Sequence, residues 1–423
     1  MKNQDKTVAI IAEFNPIHNG HKYIIEQAKR QTNANHVIII MSGNYVQRGT
    51  PAIIDKFLRT KMALLCGADC VIELPLHYAT SSSSHFAFGA IHLLSSLNCI
   101  DYLCFGSESG NLPLLQKLSD FFVQEPEEYQ LLLKEFLKQG FSFPSARQKA
   151  ALSYFSDTPA IKGILSNPND ALALEYLIAL KKLNCTIEPI CVLRKSSFYH
   201  DTTLTPFASA TAIRKALLNN PSSDTKLYNS IPISCHTLFE ELQNTQQLLE
   251  LNDFSSLLIP LLHTNTNFSK FYDISEDLAH RISKLSKNYF SLSHFITLLK
   301  RKNFTYTSIQ RALLHCILAM TQEEHDLFFT HGINYYVRIL GFKKDKSSLL
   351  KIFKESSSLS IITKLNDFEK KASNNIDSSY SNVLALQMLQ KERFADNLYR
   401  SVLMAKTNLY IKTDSEQGVI ILS

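Results

Sequence analysis

The chain has 423 residues, of which 45% are hydrophobic, and its 44 basic and 38 acidic residues give a formal net charge of +6. This length exceeds a single hydrophobic core, so we expect two or three domains. No apolar run approaches about 20 residues, and no secretory signal precedes the first predicted strand, so we expect a cytoplasmic protein without a membrane-spanning helix.

The first half of the chain alternates short β-branched runs with amphipathic helical patterns. This alternation predicts an α/β fold with a parallel sheet and helices on both faces, in which ligands bind at the carboxyl ends of strands. The predicted strands are Val8–Ala12, His36–Met41, Cys70–Leu74, Asp101–Phe105 and Thr186–Leu193. Helical patterns lie between them in KYIIEQAKRQT, DKFLRTKMALLCGA and SHFAFGAIHLLSSL.

The amino-acid composition changes at residues 217–232, LLNNPSSDTKLYNSIP. This segment is rich in Asn, Ser and Pro, which predicts a linker. Beyond this segment the patterns are amphipathic and helical, with few β-branched runs before GVIILS near the end. We therefore predict an α/β domain over residues 1–218 and a mainly α-helical domain over residues 219–423.

Cysteine and histidine side chains do not indicate a metal site. The eight cysteines form no C-x-x-C pair and lie mostly in apolar surroundings, so we interpret them as reduced core thiols. His85 and His92 are seven residues apart on one predicted helix, where a structural or capping role is favoured because further ligands are missing.

Two imidazoles lie where the first strand becomes a helix, in the stretch EFNPIHNGH. The first turn of a helix leaves backbone N–H groups free and carries partial positive charge, which suits an anion. Gly20 lets a phosphate or an adenine approach the backbone, and His18 and His21 can donate ring N–H bonds to phosphate oxygens. The alternatives are a capped surface pair and a zinc site, for which a third ligand is lacking.

This stretch resembles the His-x-Gly-His nucleotidyltransferase superfamily, which includes the class I aminoacyl-tRNA synthetases. A wider set of motifs resembles the bacterial tRNA(Met) cytidine acetate ligase family: AEFNPIHNGH, MSGNYVQRGTPA, GADCVIELP, FGSES, YHD…ASATAIR and, in the part similar to the family's helical portion, YYVRILGF. The resemblance implies a Rossmann-like fold in the first half, with His18 and His21 as catalytic residues. It also implies that ATP binds along Val8, Ala9, Ile10, Ile11, Ala12, Glu13, Phe14, Asn15, Pro16, Ile17, His18, Asn19, Gly20 and His21.

Three further ATP contacts follow from the same resemblance. Gly106 ends a predicted strand, where a base or ribose could pass close to the backbone; the alternative is a plain turn glycine. The family's nucleotide-binding asparagine corresponds to Asn169, with Asn167 as the alternative, although either could be a helix cap. Arg194 follows an apolar strand and suits a phosphate, but the next turn, Lys195-Ser196-Ser197, lacks the family's glycine.

The loop after the second strand and a late Ser/Thr-rich helix start complete the predicted site. Ser42, Gly43, Asn44 and Gln47 are candidates for an acetate pocket, and a solvated loop is the alternative. The run ASATAIR resembles the superfamily's second signature, which implies that phosphates are held by Ser209, Thr211 and Arg214. Simple helix capping by the hydroxyl groups is the alternative.

Two clusters of basic residues suggest RNA binding. Residues 281–311 contain no acidic side chain, and uncompensated cations with interleaved aromatic rings suit an RNA backbone; a solvated helix face is the alternative. The candidate tRNA-binding residues are Lys284, Lys287, Lys300, Arg301, Lys302, Lys343 and Lys344.

The resemblance implies an ATP-dependent ligase that forms acetyl-adenylate from acetate and transfers the acetyl group to the wobble cytidine of elongator tRNA(Met), giving N4-acetylcytidine. Mg²⁺ is expected to accompany ATP. Two alternatives stay open: an adenylyltransferase acting on a small substrate, and a non-catalytic tRNA-binding protein with ATP as a ligand. The acyl specificity, the tRNA identity determinants and the oligomeric state do not follow from the sequence.

Overall fold

A computed structural model describes residues 5–156, 158–195, 204–219, 225–374 and 380–423. The strands are β1 Thr7–Ala12, β2 His36–Ser42, β3 Tyr45–Val46, β4 Thr50–Pro51, β5 Cys70–Leu74, β6 Tyr102–Ser107, β7 Glu188–Leu193, β8 Tyr336–Lys343, β9 Ser360–Ile362 and β10 Ile420–Leu422.

The helices up to the predicted linker are α1 Asn19–Thr32, α2 Lys56–Leu65, α3 Leu76–Ala79, α4 Ser83–Ser96, α5 Leu112–Gln124, α6 Glu127–Lys138, α7 Phe143–Tyr154, α8 Pro159–Ser166, α9 Pro168–Lys182 and α10 Ala210–Asn219. Helix α10 ends inside the predicted linker, and α11 Thr225–Asn229 lies within it. The helices beyond the linker are α12 His236–Thr245, α13 Ser255–Thr264, α14 Glu276–Leu285, α15 Leu292–Leu299, α16 Tyr306–Ile317, α17 Gln322–His331, α18 Ser348–Ser356, α19 Leu365–Asn374, α20 Tyr380–Thr407 and α21 Asp414–Gln417.

The main sheet has the strand order β10-β8-β5-β2-β1-β6-β7, with β9 beside β8. Strands β5, β2, β1, β6 and β7 run parallel, whereas β8 is antiparallel to β5. All five strands predicted from the sequence are present, and β5 has the predicted bounds. The α/β class with a mostly parallel sheet is thus confirmed, and the carboxyl ends of the parallel strands form one edge, which we call the carboxyl edge.

Burial on both faces of the sheet explains the near-continuous apolar runs of β1 and β2. Ile38 and Ile40 pack with α4 and α9 on one face, and Val37 and Ile39 pack with α1 and α2 on the other. A third cluster joins helices α13 to α16 with part of α20. No helix in the described ranges is long and apolar enough to cross a membrane.

The interpretation of YYVRILGF as part of a helical portion is wrong, because most of it forms strand β8. Val337 and Ile339 enter one core cluster and Leu340 enters the other, so this run is buried on both faces like the parallel strands. The sheet therefore takes strands from both sides of the predicted 218/219 boundary. That boundary remains a prediction, and residues 220–224 of the predicted linker lie outside the described part of the chain.

Candidate active site

The two histidines of EFNPIHNGH stack on each other at the mouth of α1. The ring centroids of His18 and His21 are 3.7 Å apart with an interplanar angle of 22°. His18 is the N-cap of α1, and its Nδ1 accepts the backbone N–H of Gly20 at 3.1 Å. The motif therefore lies at the carboxyl edge, directly after β1, as the sequence predicted.

Burial, supported by neighbouring cations, keeps both imidazoles neutral. Burial, followed by the Arg194 and Arg214 guanidinium groups, lowers the pKa of His18 to about 3. Burial, followed by His18 and Arg194, lowers the pKa of His21 well below its usual value. Because Nδ1 of His18 accepts a hydrogen bond, a neutral His18 carries its proton on Nε2. His18 is thus a neutral N–H donor beside two permanent cations.

Gly106 and Arg194 are neighbours at the ends of β6 and β7. Gly106 pairs with Val192, and the backbone N–H of Arg194 donates to the carbonyl of Ser107 at 3.0 Å. A Cβ on Gly106 would lie 3.2 Å from Cγ of Arg194 and 2.9 Å from Cδ1 of Ile24. Glycine therefore makes room for the arginine side chain next to α1. Of the turn after Arg194, residues 196 and 197 lie outside the described residues.

The late Ser/Thr-rich segment also reaches the site. Nη1 of Arg214 donates to the carbonyl of Asn15 at 2.6 Å, and its Nη2 donates to Oγ1 of Thr211 at 3.0 Å. Oγ of Ser209 accepts the N–H of Ala212 at 3.1 Å. Ser209 thus has the geometry of a helix cap, whereas Arg214 contacts the segment that precedes His18.

The asparagine turn before α9 is organised by a carboxylate that the sequence did not single out. Glu108 accepts the backbone N–H groups of Asn169 at 3.2 Å and Asp170 at 2.8 Å, and also Nδ2 of Asn169 at 2.6 Å. Asn167 precedes the helix and donates to Asp170. The carboxylate of Glu108 therefore caps α9 and occupies the anion position at the N-terminus of this helix.

The candidate acetate residues separate into two groups. Oδ1 of Asn44 accepts the N–H of Lys56 at 2.8 Å, and a Cβ on Gly43 would lie 2.5 Å from Oε1 of Glu73, so both face the protein interior. The Oγ of Ser42 is buried too. Gln47 instead contacts the segment between β1 and α1, because its backbone N–H donates to Oε1 of Glu13 at 2.9 Å.

Comparisons with known proteins identify the family of the chain. A family model described as HIGH Nucleotidyl Transferase matches residues 5–415. A tRNA(Met) cytidine acetate ligase from a Thermoanaerobacter strain is 38% identical over 394 residues, covering 93% of this chain and 94% of the relative. Another, from Acetivibrio thermocellus, is 35% identical over 425 residues, covering 99% and 100%.

The chain belongs to the tRNA(Met) cytidine acetate ligase family. Two crystal structures of Thermotoga maritima TmcAL, each 30% identical and covering 99% of both chains, share its fold. The form bound with alpha-thio ATP has a TM-score of 0.88, and the apo form has a TM-score of 0.91.

Glycine at position 20 gives a first test of the site in this family member. A Cβ there would lie 2.9 Å from Cε1 and 3.0 Å from Nδ1 of His18, so Gly20→Ala displaces the ring. We expect ATP affinity to fall about ten-fold or more, the equivalent of one hydrogen bond to a charged group, when measured by calorimetry.

Gly163→Ala is the matched control for Gly20→Ala. Apart from its chain neighbours and the backbone of its own helix α8, no atom of the described residues lies within 4 Å of the position that the new Cβ would take at Gly163. This variant should keep its ATP affinity and gain about 0.5–1 kcal/mol in free energy of unfolding. Equal ATP affinity in the two variants would contradict the placement of His18 in the nucleotide site.

A buried charge network beside the site was missed by the sequence reasoning. Nζ of Lys56 lies 2.8 Å from a carboxylate oxygen of Glu73 and 3.0 Å from one of Asp414, and it also pairs with Asp396. The guanidinium of Arg338 pairs with Glu73 at 2.8 Å and with Asp414. The sequence offered one signal for this network, since Lys56 and Arg59 are three residues apart on one face of the helical pattern. In the structure both side chains are fully buried. The guanidinium of Arg59 donates to the carbonyl groups of Glu13 and Ser42, at 2.7 and 3.0 Å.

The two basic clusters lie in different places. Lys300, Arg301 and Lys302 are exposed, and Nζ of Lys302 lies 4.1 Å from the ring centroid of Phe141. Lys284 and Lys287 are exposed as well. Lys343 pairs with Asp69 at 3.4 Å, and Lys344 follows it at the end of β8. Because β8 is antiparallel to β5, that end lies at the amino edge of the parallel strands, away from the histidines.

Proposed function

We infer that this protein is an ATP-dependent ligase that activates acetate and acetylates the wobble cytidine of elongator tRNA(Met), giving N4-acetylcytidine. Curated relatives that match over most of both chains carry the name tRNA(Met) cytidine acetate ligase. ATP binding is supported by the related structure bound with alpha-thio ATP. The observation in this chain that carries the inference is the stacked, neutral His18–His21 pair beside Arg194.

The proposed first step forms a mixed anhydride. A carboxylate oxygen of acetate attacks the α-phosphorus of ATP, and pyrophosphate leaves with the electron pair of the broken P–O bond. Negative charge grows on the phosphate oxygens during this step, and donors that are already in place stabilise it without reorganisation. In the proposal, His18, His21 and Arg194 supply these donors, and Arg214 orients the segment before them.

The proposed second step transfers the acetyl group. The exocyclic amine of cytosine attacks the carbonyl carbon of acetyl-adenylate, AMP leaves, and the amine loses one proton. An aromatic exocyclic amine is a poor nucleophile, so activation of acetate as an anhydride is chemically reasonable. Mg²⁺ is proposed to enter with ATP on its phosphate oxygens, because imidazole and guanidinium groups at the site suit phosphate more than Mg²⁺.

The direct test uses purified protein with ATP, labelled acetate and total bacterial tRNA. The expected result is label in a cytidine of one tRNA, together with acetate-dependent ATP–pyrophosphate exchange. Exchange that requires a substrate other than acetate would favour a small-substrate adenylyltransferase. RNA binding without any exchange would favour a non-catalytic binder.

The exposed cations predict how tRNA binding responds to salt. Replacing Lys300 and Arg301 by alanine together should weaken tRNA binding and reduce the slope of log affinity against log salt by about 0.7–0.9 for each phosphate that is no longer neutralised. Lys344 was also a candidate from the sequence, but it lies at the amino edge, so in this proposal Lys344→Ala should change neither quantity. Titrations at several salt concentrations measure both effects, and a larger decrease in affinity at Lys344 would reverse the assignment.

A further inference from the structure

A cavity of about 310 Å³ lies between the N-terminus of α4, the segment at Tyr272 and helix α17. Its walls include His85, Tyr272, His325, Asp326 and Phe329. The sequence pattern favoured only a structural or capping role for His85. A volume near 300 Å³ is at the small end of the range for ligand sites, so it suits a single base or nucleoside.

Flat rings line this cavity. The rings of Tyr272 and His325 stack with centroids 3.9 Å apart at 18°, and those of His325 and Phe329 are 6.1 Å apart at 24°. The side chain of Phe329 is 38% exposed, although it is a large hydrophobic group. Burial, followed by the charge of His85, lowers the pKa of His325 to about 4, so this ring is neutral. Tyr272 and His325 are buried, so the exposed ring of Phe329, roughly parallel to His325, is the stacking surface that is open to a base.

The polar groups of the cavity are unsuited to an anion. Asp326 is exposed to solvent, and its Oδ1 accepts a hydrogen bond from Nε2 of Gln322 at 2.8 Å. Asp273 pairs with Arg311 at 3.0 Å, which leaves the cavity without an excess of cations. A carboxylate repels acetate or phosphate but accepts a hydrogen bond from an amine. The chemistry therefore fits a neutral base that carries an exocyclic amine.

Hydrogen bonds connect this cavity to the nucleotide site. Glu13, five residues before His18, accepts the N–H of Gln47, and Nε2 of Gln47 donates to the carbonyl of Ser81 at 3.2 Å. Oγ of Ser81 lies 3.2 Å from the hydroxyl of Tyr272, which in turn lies 3.0 Å from Nδ1 of His85. A chain of hydrogen bonds thus links the cavity to the segment that leads from β1 to the histidine pair.

We propose that this cavity binds the cytosine base of the target tRNA nucleotide, stacked on the exposed ring of Phe329, with its exocyclic amine directed by Asp326. The proposal rests on the proposed function, since it identifies where that reaction's nucleophile is held. Stacking on an aromatic ring tolerates any base, whereas the carboxylate distinguishes cytosine from uracil, which has an oxygen in place of the amine.

The test measures binding of the tRNA(Met) anticodon stem-loop with and without its wobble base. Phe329→Ala should weaken binding of the intact stem-loop about five-fold or more, as expected when one base–aromatic stack is removed. The same variant should bind the abasic stem-loop no more weakly than the unaltered protein does. Phe394→Ala, another exposed phenylalanine but on α20, should leave both affinities unchanged.

Enzymatic assays separate this proposal from the proposed function. Phe329→Ala and Asp326→Asn should lower acetyl transfer to tRNA while acetate-dependent ATP–pyrophosphate exchange stays within two-fold, and Phe329→Tyr should restore transfer. Equal transfer by all variants, equal loss of exchange, or additive effects of Phe329→Ala and base removal would each overturn the proposal. Absence of exchange in the unaltered protein would instead contradict the proposed function.

Discussion

His18→Asn is expected to leave the protein folded and to lower acetate-dependent ATP–pyrophosphate exchange by about 10²–10³-fold. Asparagine is a favourable N-cap, so its side-chain oxygen can still accept the N–H of Gly20 as Nδ1 of His18 does. It has no group at the position of Nε2. The variant therefore removes the proposed phosphate donor while it keeps the helix cap.

His18→Ala separates the two roles of this residue. Alanine removes both the donor and the cap, so it should lose exchange to the same extent and cost about 1 kcal/mol more in stability than asparagine. Exchange rates and urea denaturation measure the two quantities. If asparagine restored most of the exchange lost with alanine, capping alone would explain the histidine, and its assignment to the phosphates would be wrong.

The parts of the fold that the sequence predicted are those with local causes. Strands β1, β2 and β5 are short apolar runs with buried side chains on both faces, each followed by a helical pattern, and this alternation is visible in the sequence. Strand β8 was missed because it follows a long helical region and pairs with β5, which is distant in sequence. Short apolar runs do not distinguish a strand from a buried helix by periodicity alone.

The candidate site also has a part that the sequence could predict, from neighbouring residues, and a part that it could not, from residues distant in the chain. His18, Gly20 and His21 lie within four residues, so a strand-to-helix turn was enough to place them together. Glu108 could not be assigned, because its partners Asn169 and Asp170 are 61 and 62 residues away. The interior contacts of Asn44 were hidden for the same reason, since Asp396 lies 352 residues further along the chain.

The buried charge network around Lys56 has balanced charges when its carboxyl group Asp396 carries a proton. Glu73, Asp396 and Asp414 surround Lys56 and Arg338, so the carboxylates outnumber the cations. Burial raises the pKa of Asp396, whereas Lys56 and Arg338 together outweigh burial and hold the pKa of Asp414 below its usual value. A protonated Asp396 leaves two carboxylates against two cations. Buried charges are tolerated only when they are paired in this way.

Lys56→Met is therefore expected to destabilise the protein by about 3–5 kcal/mol at neutral pH, because it leaves buried carboxylates without their cation. Lys351→Met, which breaks the exposed pair of Lys351 with Glu355, should cost less than about 0.5 kcal/mol. Denaturation of each variant measures the change. In the double variant, adding Asp414→Asn should recover part of the stability, since it removes an ionised carboxylate that has lost its pairing with Lys56.

The destabilisation at Lys56 should shrink as the pH falls. Lys56 lowers the pKa of both Asp396 and Asp414 in the folded protein, so its removal moves both values upward, and that of Asp396 further above its unfolded value of about 4. The folded variant then binds protons that the unfolded chain releases, and its stability decreases as the pH rises through the raised values. Compared with the unaltered protein, Lys56→Met should thus be less impaired at pH 5 than at pH 8. If the loss in free energy of unfolding were the same at pH 5 and pH 8, other cations would be pairing with the carboxylates, and Lys56 would not be what stabilises them.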